Sequence, residues 1–176
     1  ALELAQHAAR LDPLDHRAQV NLGWTHLLAH RWEPAAVHFR LAHDLNPNNP
    51  QTLIAYGLAS AFMGRPRQAL ELADRAVELA PVREDYVDGY RASIAFLAGD
   101  YEACVAAVEA APQIFPDIQG WRAAALMMLD RKVPARAAAE RFLDDMRRDW
   151  AGVKPVTPRT IVDWFKTIFP LRRPAD

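Results

Sequence analysis

Apolar and small residues recur along this chain in a set that is written more than once. Each copy ends in a proline, and Pro13, Pro47 and Pro81 follow one another at intervals of 34 residues. The two clearest copies read Leu22, Gly23, Ala35, Phe39, Ala42, Pro47 and then Tyr56, Gly57, Ala69, Ala73, Ala76, Pro81. Repetition at a fixed period of this length indicates stacked helical units that bury apolar surface against their neighbours.

Prolines and glycines divide the chain into predicted helices. A residue before proline avoids helical geometry, so Asp12-Pro13 ends the first helix, and Gly64 and Gly99 mark turns between paired helices. The resulting predictions are helices at 1–11, 16–29, 33–45, 50–63, 66–79, 84–98, 101–111, 118–129, 134–150 and 158–169. We therefore expect an all-α protein, with an orphan helix followed by four helix pairs and no sheet.

The pattern of an early Leu-Gly, a central Ala-x-x-x-Phe and a closing proline resembles the tetratricopeptide repeat family over residues 1–150. The resemblance implies a right-handed superhelix of antiparallel helix pairs, with a concave groove lined by the first helix of each pair. In the fourth pair, Trp121 is placed at the repeat's aromatic position. Ala137 is placed at the small position held earlier by Ala35, Ala69 and Cys104.

The same resemblance implies which residues line the groove and contact a partner. The predicted partner-binding residues are Arg17, Asn21, Trp24, Leu28, Ile54, Leu58, Phe62, Tyr86, Tyr90, Ser93 and Arg122, with Val20, Leu27, Phe96 and Leu126 at neighbouring positions. Some members of the family hold a terminal carboxylate with a Lys/Asn clamp, but Val20 and Trp24 stand where that clamp needs Lys and Asn. An aromatic and aliphatic groove suits an apolar or amphipathic peptide or helix instead.

The C-terminal part, 151–176, is predicted to be a linker followed by one amphipathic helix. Thr157-Pro158 reads as a helix start, and Ile161, Trp164, Phe165 and Phe169 fall on one face. A cap on the last repeat is the expected role, because an open solenoid end exposes apolar surface. A membrane-surface helix or a docking helix is the alternative.

Residues 168–176 resemble the tail that follows repeats in bacterial multidomain regulators. These include class III adenylate cyclases and winged-helix transcriptional activators with C-terminal repeats. Because residues 1–13 match the second half of a repeat, the sequence looks like part of a longer protein. The resemblance implies an effector domain before Ala1, in intramolecular contact with the repeats.

Composition narrows the classes of function. Hydrophobic residues make up 51% and charged residues 24% of the 176 residues, and the formal net charge is −1. That balance is typical of a globular protein and gives no bulk attraction to nucleic acid or to an anionic membrane. No apolar run approaches the length of a membrane span, and one cysteine cannot form an intrachain disulfide.

Candidate chemistry is sparse. His26 and His30 have metal-ligand spacing on a helix, but no Cys or carboxylate completes a site, so ordinary histidines are the preferred interpretation. The acidic stripe Glu71, Asp74 and Glu78 is interspersed with arginines, and Cys104 occupies a packing position. We expect no catalytic residues, no metal and no cofactor.

The sequence thus predicts a non-catalytic protein-interaction module that binds a protein or peptide partner in its groove. The preferred context is the repeat portion of a larger cytoplasmic bacterial signalling or transcription regulator. The alternative is a stand-alone adaptor or homo-oligomerisation scaffold without an effector domain.

Overall fold

The computed structural model describes residues 1–82, 84–150 and 155–172, and in these ranges all regular structure is α-helical. The helices are α1 (Leu2–Leu11), α2 (His16–Leu28), α3 (Trp32–Leu45), α4 (Pro50–Phe62), α5 (Pro66–Leu79), α6 (Asp85–Ala98), α7 (Tyr101–Ala110), α8 (Ile118–Met128), α9 (Lys132–Arg148) and α10 (Pro158–Ile168). The predicted all-α class is confirmed. No helix in the described ranges is both long and apolar enough to cross a bilayer.

The chain forms two compact units, which divide at Arg83/Glu84. The first unit contains α1 to α5 and takes in Pro170–Asp176; the second runs from Glu84 to Phe169 and contains α6 to α10. The boundary predicted at residue 150 separates the repeats from the linker and does not divide compact units. It stays a prediction. Of the predicted linker, residues 151–154 lie outside the described part of the chain.

Local sequence explains where several helices begin. The side chain of Asp15 accepts a hydrogen bond from the N–H of Arg17, and that of Asn49 accepts from the N–H of Thr52 at 2.9 Å. These contacts satisfy backbone donors that have no partner inside the helix. Pro50, Pro66 and Pro158 each stand in a first turn, where a missing N–H costs nothing.

Four helix pairs turn in the same way. His30, Gly64, Gly99 and Asp130 each adopt a positive φ, between 55° and 83°. The residue after each donates its N–H to a carbonyl five residues earlier, at 2.9 Å in all four cases. This is the left-handed closure that commonly ends a helix, and Gly adopts it without a Cβ penalty.

The turns correct the register predicted for the fourth pair. Asp130 follows Gly99 by only 31 residues, because α7 and α8 have 10 and 11 residues where α3 and α4 have 14 and 13, and the longer segment 111–117 makes up only part of the difference. The buried small position therefore falls on Ala135, which is 2% exposed, and the predicted Ala137 is exposed. Ala35, Ala69 and Cys104, the equivalents of Ala135, are 0% exposed.

Candidate functional site

A cleft opens between α1 and α2 in the first unit. It has a volume of about 590 Å³. We call it the N-terminal cleft; its lining residues are Ala1, Leu4, Ala5, Ala8, Asn21, Trp24, Thr25, Leu28 and Ala29. Three of the predicted partner-binding residues, Asn21, Trp24 and Leu28, lie together here. The α1 side of the cleft is lined by Ala1, Leu4, Ala5 and Ala8, so it is apolar and has mostly small side chains.

Trp24 packs in a row with two further aromatic side chains, Phe39 and Tyr56, that lie one behind the other. Its ring meets Phe39 edge to face at 5.3 Å, and Phe39 in turn stacks on Tyr56 at 6.0 Å. Phe39 is 0% exposed, whereas Trp24 is half-buried. Leu4 and Leu28, at 75% and 61% exposure, flank the cleft. The arrangement presents an apolar surface with one positioned aromatic ring.

Arg17 and Asn21 also line a smaller groove of about 200 Å³ together with His16, Val20, Gln51 and Thr52. His16 and Thr52 are joined by a hydrogen bond of 2.8 Å between Nδ1 and Oγ1. The Arg17 guanidinium pairs with Asp15 at 3.1 Å. Five of its six lining residues have polar side chains, whereas most residues that line the N-terminal cleft are apolar.

A histidine pair packs between α2 and α3. The rings of His26 and His38 stack at 5.4 Å, and His38 Nδ1 lies 2.9 Å from Gln19 Oε1. Gln19 donates its amide N–H to the carbonyl of Pro13 at 3.1 Å, so Oε1 is an acceptor and His38 Nδ1 is the donor. Burial lowers the pKa of both imidazoles, helped by Arg31 for His26 and by His26 for His38.

The histidine pair predicts a pH dependence of stability. Because both folded-state pKa values lie below the usual 6.5, the unfolded chain binds protons first as the pH falls. Stability should therefore be fully present above pH 6.5 and be lost as the pH falls through the folded pKa values. Thermal unfolding followed between about pH 7.5 and 5.5 should show a falling midpoint, and a shallower slope in His26→Gln. An unchanged slope in that variant would assign the effect to other groups.

The predicted partner-binding residues of α4 are covered in this structure. Ile54, Leu58 and Phe62 are 0%, 6% and 4% exposed, and every residue from Thr52 to Phe62 is buried. In the same unit, the backbone N–H of Arg172 donates to the carbonyl of Phe62 at 2.9 Å, and the Arg172 guanidinium lies 3.7 Å from Glu33. These α4 residues are closed to a partner in the conformation described, and their role stays a prediction.

In the second unit, the predicted site on α6 is covered by the segment between α7 and α8. Tyr90 stacks on Phe115 at 5.7 Å and meets Tyr86 edge-on at 5.6 Å. Phe115 also lies on Gly89, where an added Cβ would come within 2.6 Å of the ring. Ser93 is 7% exposed. Tyr86 and Tyr90 are half-buried, and their role in binding stays a prediction.

The sequence analysis missed the corresponding site on α8. Gly120 lies directly under Phe165 of α10, with 2.8 Å left for an added Cβ, and Trp121 contacts Phe165 and Phe169 at 5.5 and 4.8 Å. The signal was present: Gly89-Tyr90-Arg91-Ala92 and Gly120-Trp121-Arg122-Ala123 match, 31 residues apart. That spacing equals the one between the turns at Gly99 and Asp130.

When the repeats are aligned by their turns, Arg122 no longer falls at a position that lines the predicted groove. Its guanidinium pairs with Glu109 of α7 at 2.8 Å. The equivalent position in the first pair is Leu22, which is 4% exposed and faces the core. Arg122 therefore joins neighbouring helices in this structure. Its predicted role in partner binding stays a prediction.

The single cysteine, Cys104, is buried. Burial, with a smaller contribution from Asp100, raises the pKa of the Cys104 thiol to about 12. Cys104 Sγ lies 3.8 Å from the carbonyl of Trp121, so the thiol acts as a small buried packing group. Within residues 1–82, 84–150 and 155–172, no group of three or more His, Cys, Asp or Glu side chains could hold a metal ion.

Comparison with known proteins bears on the fold. No protein-family model matches the chain, and no curated protein matches it at a significant level. Among solved structures, the crystal structure of MamA protein matches with a TM-score of 0.62 and 15% identity, covering 90% of this chain and 87% of that chain. MamA contains tetratricopeptide repeats. The fold is a tetratricopeptide-like helical repeat.

This likeness concerns the fold alone, because identity is only 15%. A tetratricopeptide-like fold agrees with the four equivalent turns and with the small buried residues that open each second helix. The resemblance of residues 168–176 to a regulator tail gains no support from the comparisons, and residues 173–176 lie outside the described part of the chain.

Proposed function

We propose that the chain is a protein-interaction module that binds an apolar or amphipathic segment of a partner in the N-terminal cleft. The observation that carries the proposal is the exposed apolar surface around Trp24. Leu4 and Leu28 face solvent beside an indole that Phe39 holds in place. Aromatic anchors on a rigid support, surrounded by aliphatic side chains, contribute most of the affinity at protein interfaces.

A binding role suits this molecule better than a catalytic one. The N-terminal cleft is lined by alanine, leucine, tryptophan, asparagine and threonine, with no acidic, basic or thiol side chain in its lining. General acid–base chemistry needs titratable groups with tuned pKa values in a pocket. A peptide or helix needs only apolar contact and a few hydrogen bonds, which Asn21 and Thr25 can supply.

The context we propose is the repeat portion of a larger cytoplasmic bacterial regulator. Its support is the resemblance of the C-terminal tail and the helical-repeat fold. In that context the cleft would take up either a separate protein or the effector domain of the same protein. A homo-oligomerisation scaffold, whose cleft binds another copy of the chain, is the competing function.

The proposal is tested with a displayed library of amphipathic peptides of about 16 residues, a length that forms four helical turns. Selected peptides should quench or shift tryptophan fluorescence and bind Leu28→Asp at least 30-fold more weakly, the size of an interface hot spot. Leu28 is 61% exposed, so the substitution leaves the fold intact.

The matched control is Val37→Asp on α3, which is 58% exposed and lies outside the cleft lining. It should bind the same peptides as the unchanged chain does. Equal binding to Leu28→Asp and Val37→Asp would show that the cleft is not the binding surface. Peptide competition with self-association, measured by analytical ultracentrifugation, would instead identify the scaffold function.

A further inference from the structure

Within the second unit, α10 packs against α8 and α9 through aromatic and aliphatic side chains. Phe165 sits over Gly120, contacts Trp121 at 5.5 Å and meets Phe142 of α9 at 5.1 Å. Phe169, one turn later, reaches Trp121 at 4.8 Å. Glycine inside a helix costs about 1 kcal/mol relative to alanine, so Gly120 is explained by the ring that it admits.

Apolar contact attaches α10 to the helices beneath it. Ile161 is 0% exposed and packs with Phe142 and Met146, while Trp164 meets Trp150 edge-on at 6.1 Å. The side-chain hydrogen bonds and the ion pair of residues 155–168 join residues of that same segment. Detaching α10 therefore exposes apolar surface but separates none of those polar pairs. The chain after α10 makes its own polar contacts, from Arg172 to Phe62 and Glu33.

The segment also carries its own helix start. Thr157 and Thr160 form a reciprocal capping box, with each side chain accepting from the backbone N–H of the other, and Pro158 stands at the first helical position. A capping box satisfies backbone donors without help from the rest of the protein. A detached α10 thus keeps the local signals that start its helix.

We propose that α10 is an exchangeable internal ligand, and that the surface of Gly120, Trp121 and Phe142 accepts an amphipathic helix from a partner in its place. The partner helix would carry two aromatic residues four positions apart, as Phe165 and Phe169 are. The inference extends the proposed interaction function to a second surface. It also makes α10 an inhibitor of that surface, because a tethered segment acts at a high effective concentration.

The geometry specifies the partner further. The space over Gly120 fits a flat ring edge, and a Cβ at that position would meet Phe165 within 2.8 Å. Ile161 fills the buried end of the surface between Phe142 and Met146. A competent helix therefore presents an aliphatic residue, then an aromatic residue four positions later and a second aromatic residue four positions after that.

The experiment uses the full chain with a protease site inserted between Pro155 and Val156, both exposed. After cleavage, circular dichroism and gel filtration establish that the two pieces stay folded and associated. A fluorescein-labelled peptide of residues 156–169, which ends before Arg172, is then added, and its exchange into the complex is followed by fluorescence anisotropy. We expect exchange within hours, and competition by the unlabelled peptide.

Matched peptide variants identify the contact. Phe165→Ala should weaken competition at least 30-fold, whereas Val162→Ala, which alters a 37% exposed side chain, should change it less than about 3-fold. Exchange that never occurs in the associated complex, or equal competition by both variants, would overturn the proposal and make α10 a permanent part of the fold. Neither result depends on the N-terminal cleft, so failure here leaves the proposed function to its own test.

Discussion

Replacing Trp121 with alanine should lower the free energy of unfolding of the second unit by about 3–5 kcal/mol, the usual cost of removing a large aromatic side chain from a core. Trp121 is 4% exposed and contacts Phe96, Phe165 and Phe169. Its Nε1–H donates to Asp117 at 3.3 Å, so the substitution also leaves that carboxyl without this partner. Both losses act in the same direction.

The measurement is chemical denaturation followed by circular dichroism, with Met127→Ala as the control. Met127 lies on the same helix and is 54% exposed, so its replacement should change stability by less than about 0.5 kcal/mol. The Trp121→Ala variant should also release α10, which hydrogen exchange would detect as faster exchange in residues 158–168. If both variants unfold alike, Trp121 does not anchor this core.

In the first unit, Phe39→Ala should cost about 3–5 kcal/mol for the same reason. Phe39 is 0% exposed and supports both Trp24 and Tyr56. Its ring also lies against Gly23, where an added Cβ would approach within 2.8 Å. Because of this contact, the effect of Gly23→Ala on stability should depend on whether Phe39 is present.

Gly23→Ala alone should destabilise the protein, because the new methyl group meets a buried ring that cannot move away freely. In the Phe39→Ala background the ring is absent, and the same change should stabilise by up to about 1 kcal/mol through helix propensity. A double-mutant cycle measured by denaturation checks both signs. Val37→Ala serves as the control, because Val37 lies on α3 with Phe39 and is 58% exposed. Additive effects would mean that Gly23 and Phe39 do not contact.

Much of the first unit follows from sequence alone because its repeats are regular. The interval of 34 residues between prolines, together with Gly23, Ala35 and Phe39, places the helices of this unit within one residue of their observed bounds. The second unit departs in its last pair, where α9 begins at Lys132, two residues before the predicted start, and the small buried residue is Ala135 and not Ala137. The matching Gly-aromatic-Arg-Ala segments at Gly89 and Gly120 are 31 residues apart, which is the observed interval between the last two turns.

The candidate site divides in the same way. Asn21, Trp24 and Leu28 could be placed together from helical spacing, since they share one face of α2. The burial of Ile54, Leu58 and Phe62 could not be predicted, because repeat position says nothing about which distant segment covers a face. The same holds for Phe115 on Gly89 and for Phe165 on Gly120.

The sequence by itself determined the all-α class, the helix pairs and the turns, because these depend on residues close together in the chain. Periodicity, capping residues and prolines act over a few residues, and their effects add along a repeat. Only the tertiary structure decided which apolar faces are open and which are covered. That choice depends on contacts between residues far apart, such as Phe165 with Gly120 and Arg172 with Phe62. A free apolar stripe looks the same in sequence whether a partner or the chain's own helix lies against it.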